Sequence, residues 1–232
     1  MNTIVKVISL PLGPISRMFL VQSDAGVIAV DAGMAGQTDR AIAAFAAHGV
    51  APQDVRLILI THGHIDHFGG AKALRARTGA PVAVHTLDAD ALRNGKNMEP
   101  MTPTTRLTAL LRRLGAQMVA SDPAIAFEPD IVFETPWRLD DYGIAGEVIH
   151  TPGHTPGSIT LLLDNGEAIV GDLATGNWLF PKRAAPPLVA WDLDRNWASL
   201  RALLDRHPTR LYITHGQPFA PEALYTLLKH YA

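Results

Sequence analysis

The stretch Arg56-Leu57-Ile58-Leu59-Ile60-Thr61-His62-Gly63-His64-Ile65-Asp66-His67 decides how this chain is read. Residues 56–60 are an apolar run of strand length. The run passes without a break into a loop crowded with imidazoles and a carboxylate. Residues 68–78 then read as a helix stopped by Gly79. Four ligand-type side chains, His62, His64, Asp66 and His67, therefore occupy six consecutive positions between strand and helix. In an extended loop His62 and His64, two apart, turn their rings to the same side. A lone histidine is ordinarily a core or surface residue, and His48, His85, His150, His207 and His230 are read that way. Four such groups on one loop are costly to desolvate unless a cation compensates them, so the loop is read as a metal site.

Three further candidates lie outward from this loop: His154 in Thr151-Pro152-Gly153-His154-Thr155-Pro156-Gly157, Asp172 in Val170-Gly171-Asp172, and His215 in Ile213-Thr214-His215-Gly216. Each follows an apolar strand, and each stands beside a glycine that lets the backbone approach closely. The chain has no cysteine, so any metal must be held by nitrogen and oxygen. Seven such donors are too many for one tetrahedral ion and suit two ions that share a carboxylate.

Strands are expected at 4–10, 18–22 and 27–31, a helix at 38–48 ending on Gly49, and a strand at 81–85. Residues from about 94 to 130 break the pattern and read as an insertion or lid around a helix at 104–114. Strands resume at 131–133, 146–150, 158–163 and 167–170, the last two joined by the tight-turn sequence Asp164-Asn165-Gly166. A helix at 197–206 with Asp194 as its N-cap, a strand at 210–213 and a helix at 221–231 opened by Pro221 complete the chain. The order gives two similar halves, each a sheet covered by helices on one face, which would pack sheet against sheet in a single domain over 1–232.

At 232 residues the chain can bury a substantial core without crosslinks. With 18% charged residues and a net charge of -2 it lacks the basic excess of a nucleic-acid binder, and a small-molecule substrate is expected instead. Pro11, Gly13, Pro14, Arg17 and Asp24 interrupt any signal-peptide core, and no apolar run reaches membrane-spanning length. A cytoplasmic protein without a membrane partner is therefore expected, as monomer or homodimer.

The run His62-Gly63-His64-Ile65-Asp66-His67 resembles the H-x-H-x-D-H hallmark of the metallo-β-lactamase superfamily, and Asp31, His154, Asp172 and His215 follow the superfamily's order. That resemblance implies an α+β fold, a four-layer αββα sandwich with the metals at one edge. It implies that His62, His64 and His154 hold one ion, that Asp66, His67 and His215 hold a second, and that Asp172 bridges them. Asp31 would accept hydrogen bonds that orient the ligand loop. The implied cofactors are two divalent ions, zinc foremost, with manganese or iron as alternatives. The implied reaction is attack of a metal-bridging hydroxide on an ester-type carbonyl, with Asp66 and Asp172 in catalytic roles.

The Thr-Pro-Gly-His-Thr-Pro-Gly-Ser run looks most like the branch of glyoxalase II thioesterases and small lactonases. Departures stand beside the likeness. The glyoxalase II helical domain has no counterpart after His215, and the lactonase tyrosine is missing between Leu173 and Arg195. A mononuclear-iron, persulfide dioxygenase-like oxidoreductase is one alternative on this fold; β-lactamase or phosphodiesterase activity is another. Trp178, Phe180 and Trp191 are candidates for the substrate pocket wall.

Overall fold

The computed structural model of the protein describes residues 5–13, 16–114, 121–176 and 183–231. Alternation of side chains along the strands builds the architecture. In β1 (Lys6–Pro11), β2 (Arg17–Gln22), β3 (Val27–Val30) and β4 (Val55–Leu59), successive residues point to opposite faces of one sheet. Met18, Leu20 and Ile58 face one core, whereas Phe19, Val21, Leu57 and Leu59 face another. With β5 (Val82–His85) and a later strand this sheet has six strands. The first three run antiparallel; β3, β4 and β5 run parallel. Helix α1 (Thr38–Ala47) covers the outer face with Phe45.

The helix expected at 68–78 begins only at α3 (Ala71–Thr78), and a separate turn, α2 (Ile65–Phe68), forms within the ligand loop. Gly69 and Gly70 separate them, because backbone groups there bond outside the helix: His67 C=O accepts from Ala32 N–H, and Gly70 N–H donates to Gly33 C=O. Gly79, at φ 75°, closes α3 as expected. After β5 come α4 (Ala89–Asn94), β6 (Thr102–Pro103) and α5 (Arg106–Arg113). Between 94 and 130 the described residues form few long elements. Leu107, Leu110 and Leu114 of that stretch are exposed. The strand β7 (Ile131–Phe133) then completes the first sheet, pairing with β5.

The second sheet contains β8 (Trp137–Arg138), β9 (Gly146–His150), β10 (Ile159–Leu163) and β11 (Glu167–Ile169). Short ladders follow, β12 (Thr175–Gly176) with β13 (Ala184–Ala185), and β14 (Val189–Ala190) with β6. Helix α6 (Leu193–Leu204), β15 (Arg210–Tyr212) and α7 (Pro221–Tyr231) end the chain, with β15 parallel to β11 at the sheet edge. Helix α6 starts four residues before the expected position. Asp192, not Asp194, caps it by accepting from Arg195 N–H at 3.0 Å. Either aspartate suits an N-cap. The choice is made by contacts in tertiary structure, since Trp191 N–H and Asp192 N–H bond the carbonyls of His154 and Gly153 and hold 191–192 extended.

Three apolar clusters separate four layers. Phe45, Phe68 and Leu74 pack helices on the first sheet; Phe19, Val148, Leu161 and Tyr212 fill the space between sheets; Trp197, Leu200, Leu211 and Leu224 pack α6 and α7 on the second sheet. The fold is the αββα sandwich. Among the described residues no helix is long and apolar enough to cross a membrane.

Candidate metal centre

Strand register carries the distant residues together. In the parallel pair β11 and β15, Ile169 faces Tyr212, so Asp172 and His215 each stand three residues beyond a matched pair. In the hairpin of β9 and β10, Ile159 faces His150, and the connection between them, closed by Thr151 N–H on Ser158 C=O, carries His154. The two sheets meet where Ile159 N–H donates to Thr61 C=O at 2.9 Å. That junction sets His154 against the 62–67 loop, with His62 Nε2 and His154 Nε2 3.1 Å apart.

All seven residues expected as ligands lie together. His62, His64 and His154 form one group, Asp66, His67 and His215 another, and His62, His67 and Asp172 a third, with donor atoms in each group within 4.8 Å of one another. Asp172 faces both sides: Oδ2 is 3.6 Å from His154 Nε2 and 3.3 Å from His215 Nε2, while Oδ1 is 3.6 Å from His67 Nε2. Asp66 Oδ2 lies 3.1 Å from His215 Nε2. Asp66 and His215 are the more open members, with side chains 26% and 17% exposed, so solvent reaches the cluster from their side.

The donor set fits divalent cations. His67 Nε2 and Asp172 Oδ1 are buried without a hydrogen-bond partner, a costly condition that a cation between imidazole and carboxylate would relieve. Tautomers point the same way. His67 Nδ1–H donates to Asp31 at 2.8 Å and His154 Nδ1–H to the Val189 carbonyl at 2.8 Å, which leaves each Nε2 lone pair for the cluster. His64 Nε2 donates to the Met98 carbonyl at 3.3 Å, leaving Nδ1 inward.

Charge differs between the two sides. Burial, then the neighbouring His67 and His154, pushes the His62 imidazole well below its ordinary value. Burial and His154 push His64 down to about 3. Burial also lowers His154, against the pull of Asp172. Burial opposes protonation of His67 too, but Asp31, Asp66 and Asp172 outweigh it and raise that ring to about 9. His215 is likewise raised, burial being overcome by Asp172 and Asp66. Asp172 and Asp66 are held well below the ordinary carboxylate range, as the facing imidazoles overcome burial.

Asp31 is fully buried with its backbone in the left-handed region, φ 64°. Its carboxylate accepts from Thr61 N–H at 2.8 Å, Thr61 O–H at 2.9 Å, His67 Nδ1–H at 2.8 Å and Thr214 O–H at 3.4 Å, reaching both sheets. Several supporting groups carry no signal in the sequence. Asn97 accepts from Ile65 N–H at 2.7 Å, Met98 N–H donates to Gly63 C=O at 2.8 Å, and Asp88 accepts from both ligand loops. Trp191 donates its backbone N–H to His154 C=O, and its ring lies under the Arg195 guanidinium at 5.4 Å. Trp178 and Phe180 lie outside the described residues.

A family model described as the Metallo-beta-lactamase superfamily matches residues 13–215. The chain is 26% identical over 122 residues to the probable metallo-hydrolase YflN of Bacillus subtilis (strain 168), covering 50% of this chain and 43% of that protein. It is 32% identical over 145 residues to a hydroxyacylglutathione hydrolase of Anaeromyxobacter dehalogenans (strain 2CP-C), covering 62% of this chain and 40% of the relative. The match thus spans less than half the length of these two curated relatives. The crystal structure of TTHA1623 in a di-iron-bound form superposes with a TM-score of 0.68 at 24% identity, covering 95% of this chain and 98% of that one.

Proposed function

Because the chain belongs to the metallo-beta-lactamase superfamily, we propose that it hydrolyses an ester-type carbonyl, a lactone or a thioester, with two divalent metal ions in the cluster just described. The observation that carries this reading is the position of Asp172, whose Oδ2 stands between His154 of one histidine group and His215 of the other while Oδ1 faces His67. His62, His64 and His154 would hold one ion, Asp66, His67 and His215 the other, with Asp172 shared. Two such ions supply Lewis acidity, acidifying solvent and polarising a carbonyl oxygen. A set of imidazoles and carboxylates without thiolate suits zinc, and manganese or iron can also use it.

The chain's own groups do the rest. Asp31, the Val189 carbonyl and the Met98 carbonyl fix three histidine tautomers, so these rings are oriented before any ion arrives. Asp66, at the open side, is placed to take up a proton from solvent and pass it to a leaving group. The relatives named hydroxyacylglutathione hydrolase and probable metallo-hydrolase support the hydrolase class.

The test is metal analysis of the purified protein, followed by a hydrolysis panel of lactones, thioesters, aryl esters, phosphodiesters and β-lactams on zinc-, manganese- and iron-loaded samples. Turnover of lactones or thioesters is expected. Turnover confined to phosphodiesters or β-lactams would overturn the substrate class. A single iron per chain with persulfide oxidation would replace hydrolysis by the oxidoreductase reading.

A further inference from the structure

Among the described residues two carboxylates are completely buried beside the cluster, and the sequence points only to Asp31. The other is Asp88, in the tight turn between β5 and α4. It occupies the N-cap position of α4 yet makes no side-chain cap to that helix. Instead Oδ2 accepts from Gly63 N–H at 2.7 Å and from Thr155 O–H at 2.6 Å, and Oδ1 accepts from Gly157 N–H at 2.7 Å. A buried carboxylate is costly, and charge-assisted hydrogen bonds offset part of that cost.

The three donors share one feature. Gly63 lies between His62 and His64, while Thr155 and Gly157 follow His154. These histidines are the members of one compact group. The approach is tight enough to exclude side chains: a Cβ at Gly63 would meet Asp88 Cβ at 3.2 Å and Ala91 Cβ at 2.8 Å, and one at Gly157 would meet Asp88 Cγ at 2.6 Å. Asp31 binds the other side, through His67, Thr61 and Thr214.

We infer that Asp88 is a positioning residue that locks the 62–64 and 154–157 loops together across the two sheets, and so sets the affinity of the three-histidine group separately from that of the Asp66, His67 and His215 group. The inference rests on the two-metal reading above. Asp88→Asn keeps the shape but turns an amide N–H toward backbone donors. Thr155→Val removes one donor without touching the carboxylate, and Thr155→Ser restores the hydroxyl.

Zn2+ is titrated calorimetrically into metal-stripped wild type, Asp88→Asn, Thr155→Val and Thr155→Ser, with His64→Ala and His215→Ala to mark the two classes of site. Thermal melting of each stripped protein is recorded alongside. In Asp88→Asn the class lost in His64→Ala should weaken by about 10–100-fold, the scale for groups that orient metal ligands, while the class lost in His215→Ala stays within about twofold. Thr155→Val should shift the same class less, and Thr155→Ser should match wild type; if Asp88→Asn does not fold, this pair decides. Unchanged affinities in folded variants, or equal weakening of both classes in step with a lower melting temperature, overturn the inference alone. A wild type that takes up no Zn2+ overturns it together with the metal reading.

Discussion

The loop from Thr61 to His67 and the trio His154, Asp172 and His215 supply the same kinds of side chain by opposite routes. In the loop, four candidates are neighbours in sequence, and local hydrogen bonds, His64 N–H to His62 C=O at 3.1 Å and His67 N–H to His64 C=O at 2.9 Å, set their backbone. In the trio each residue comes from a different strand end, and only the register of β9, β10, β11 and β15 assembles them. A candidate ligand set with four local members and three long-range ones would tie metal retention to the integrity of both sheets.

The largest effect is expected at Asp172, whose Oδ2 faces His154 of one group and His215 of the other. Asp172→Ala should lower kcat/KM by ~10^3-fold or more and release bound metal as well, as expected for loss of a group central to charge stabilisation. Full turnover, or normal metal content by elemental analysis, would contradict the shared position. Next comes Asp31, behind the loop. Asp31→Asn exchanges an acceptor for an amide N–H against Thr61 and His67, and about 10–100-fold weaker metal retention in chelator competition is expected.

A smaller effect sharpens the long-range side. Gly153 has φ 142°, and a Cβ there would meet Asn196 N at 2.2 Å, where α6 is stitched to the His154 loop. Gly153→Ala should therefore destabilise the protein by about 1–3 kcal/mol in chemical denaturation, the usual cost of overpacking. An unchanged midpoint would show that this junction yields without strain.

The smallest effect concerns two histidines outside the cluster. His85 and His150 stack at 4.5 Å with planes 13° apart, and burial, then His150, lowers His85 to about 4. Between that value and 6.5, the unfolded chain binds more protons at this residue than the folded one. Its contribution to stability is thus present above pH 6.5 and is lost as pH falls toward 4. In metal-stripped protein His85→Gln should flatten the pH dependence of melting over this window. Equal slopes for variant and wild type would remove His85 from the account.

Much of this is legible in the amino-acid sequence. Hydrophobic period and turn residues located β9, β10 and α7 within a residue, because their signals are local. The helix expected after the ligand loop starts three residues late, behind a separate turn inside the loop, and α6 is capped by Asp192, since both outcomes depend on hydrogen bonds to segments far away in sequence. Asp88 and Asn97 left no trace, because a buried acceptor in a turn has the same local pattern as an ordinary capping residue.

The amino-acid sequence by itself determined the family, the sandwich and the seven candidate ligands, since strand period, the dense histidine loop and the glycine-flanked His154, Asp172 and His215 are each patterns of neighbouring residues. Tertiary structure alone decided that Asp172 faces both histidine groups, that Asp31 reaches both sheets, and that Asp88 fastens two loops. Those facts follow from strand register and close backbone approach, which no stretch of consecutive residues encodes.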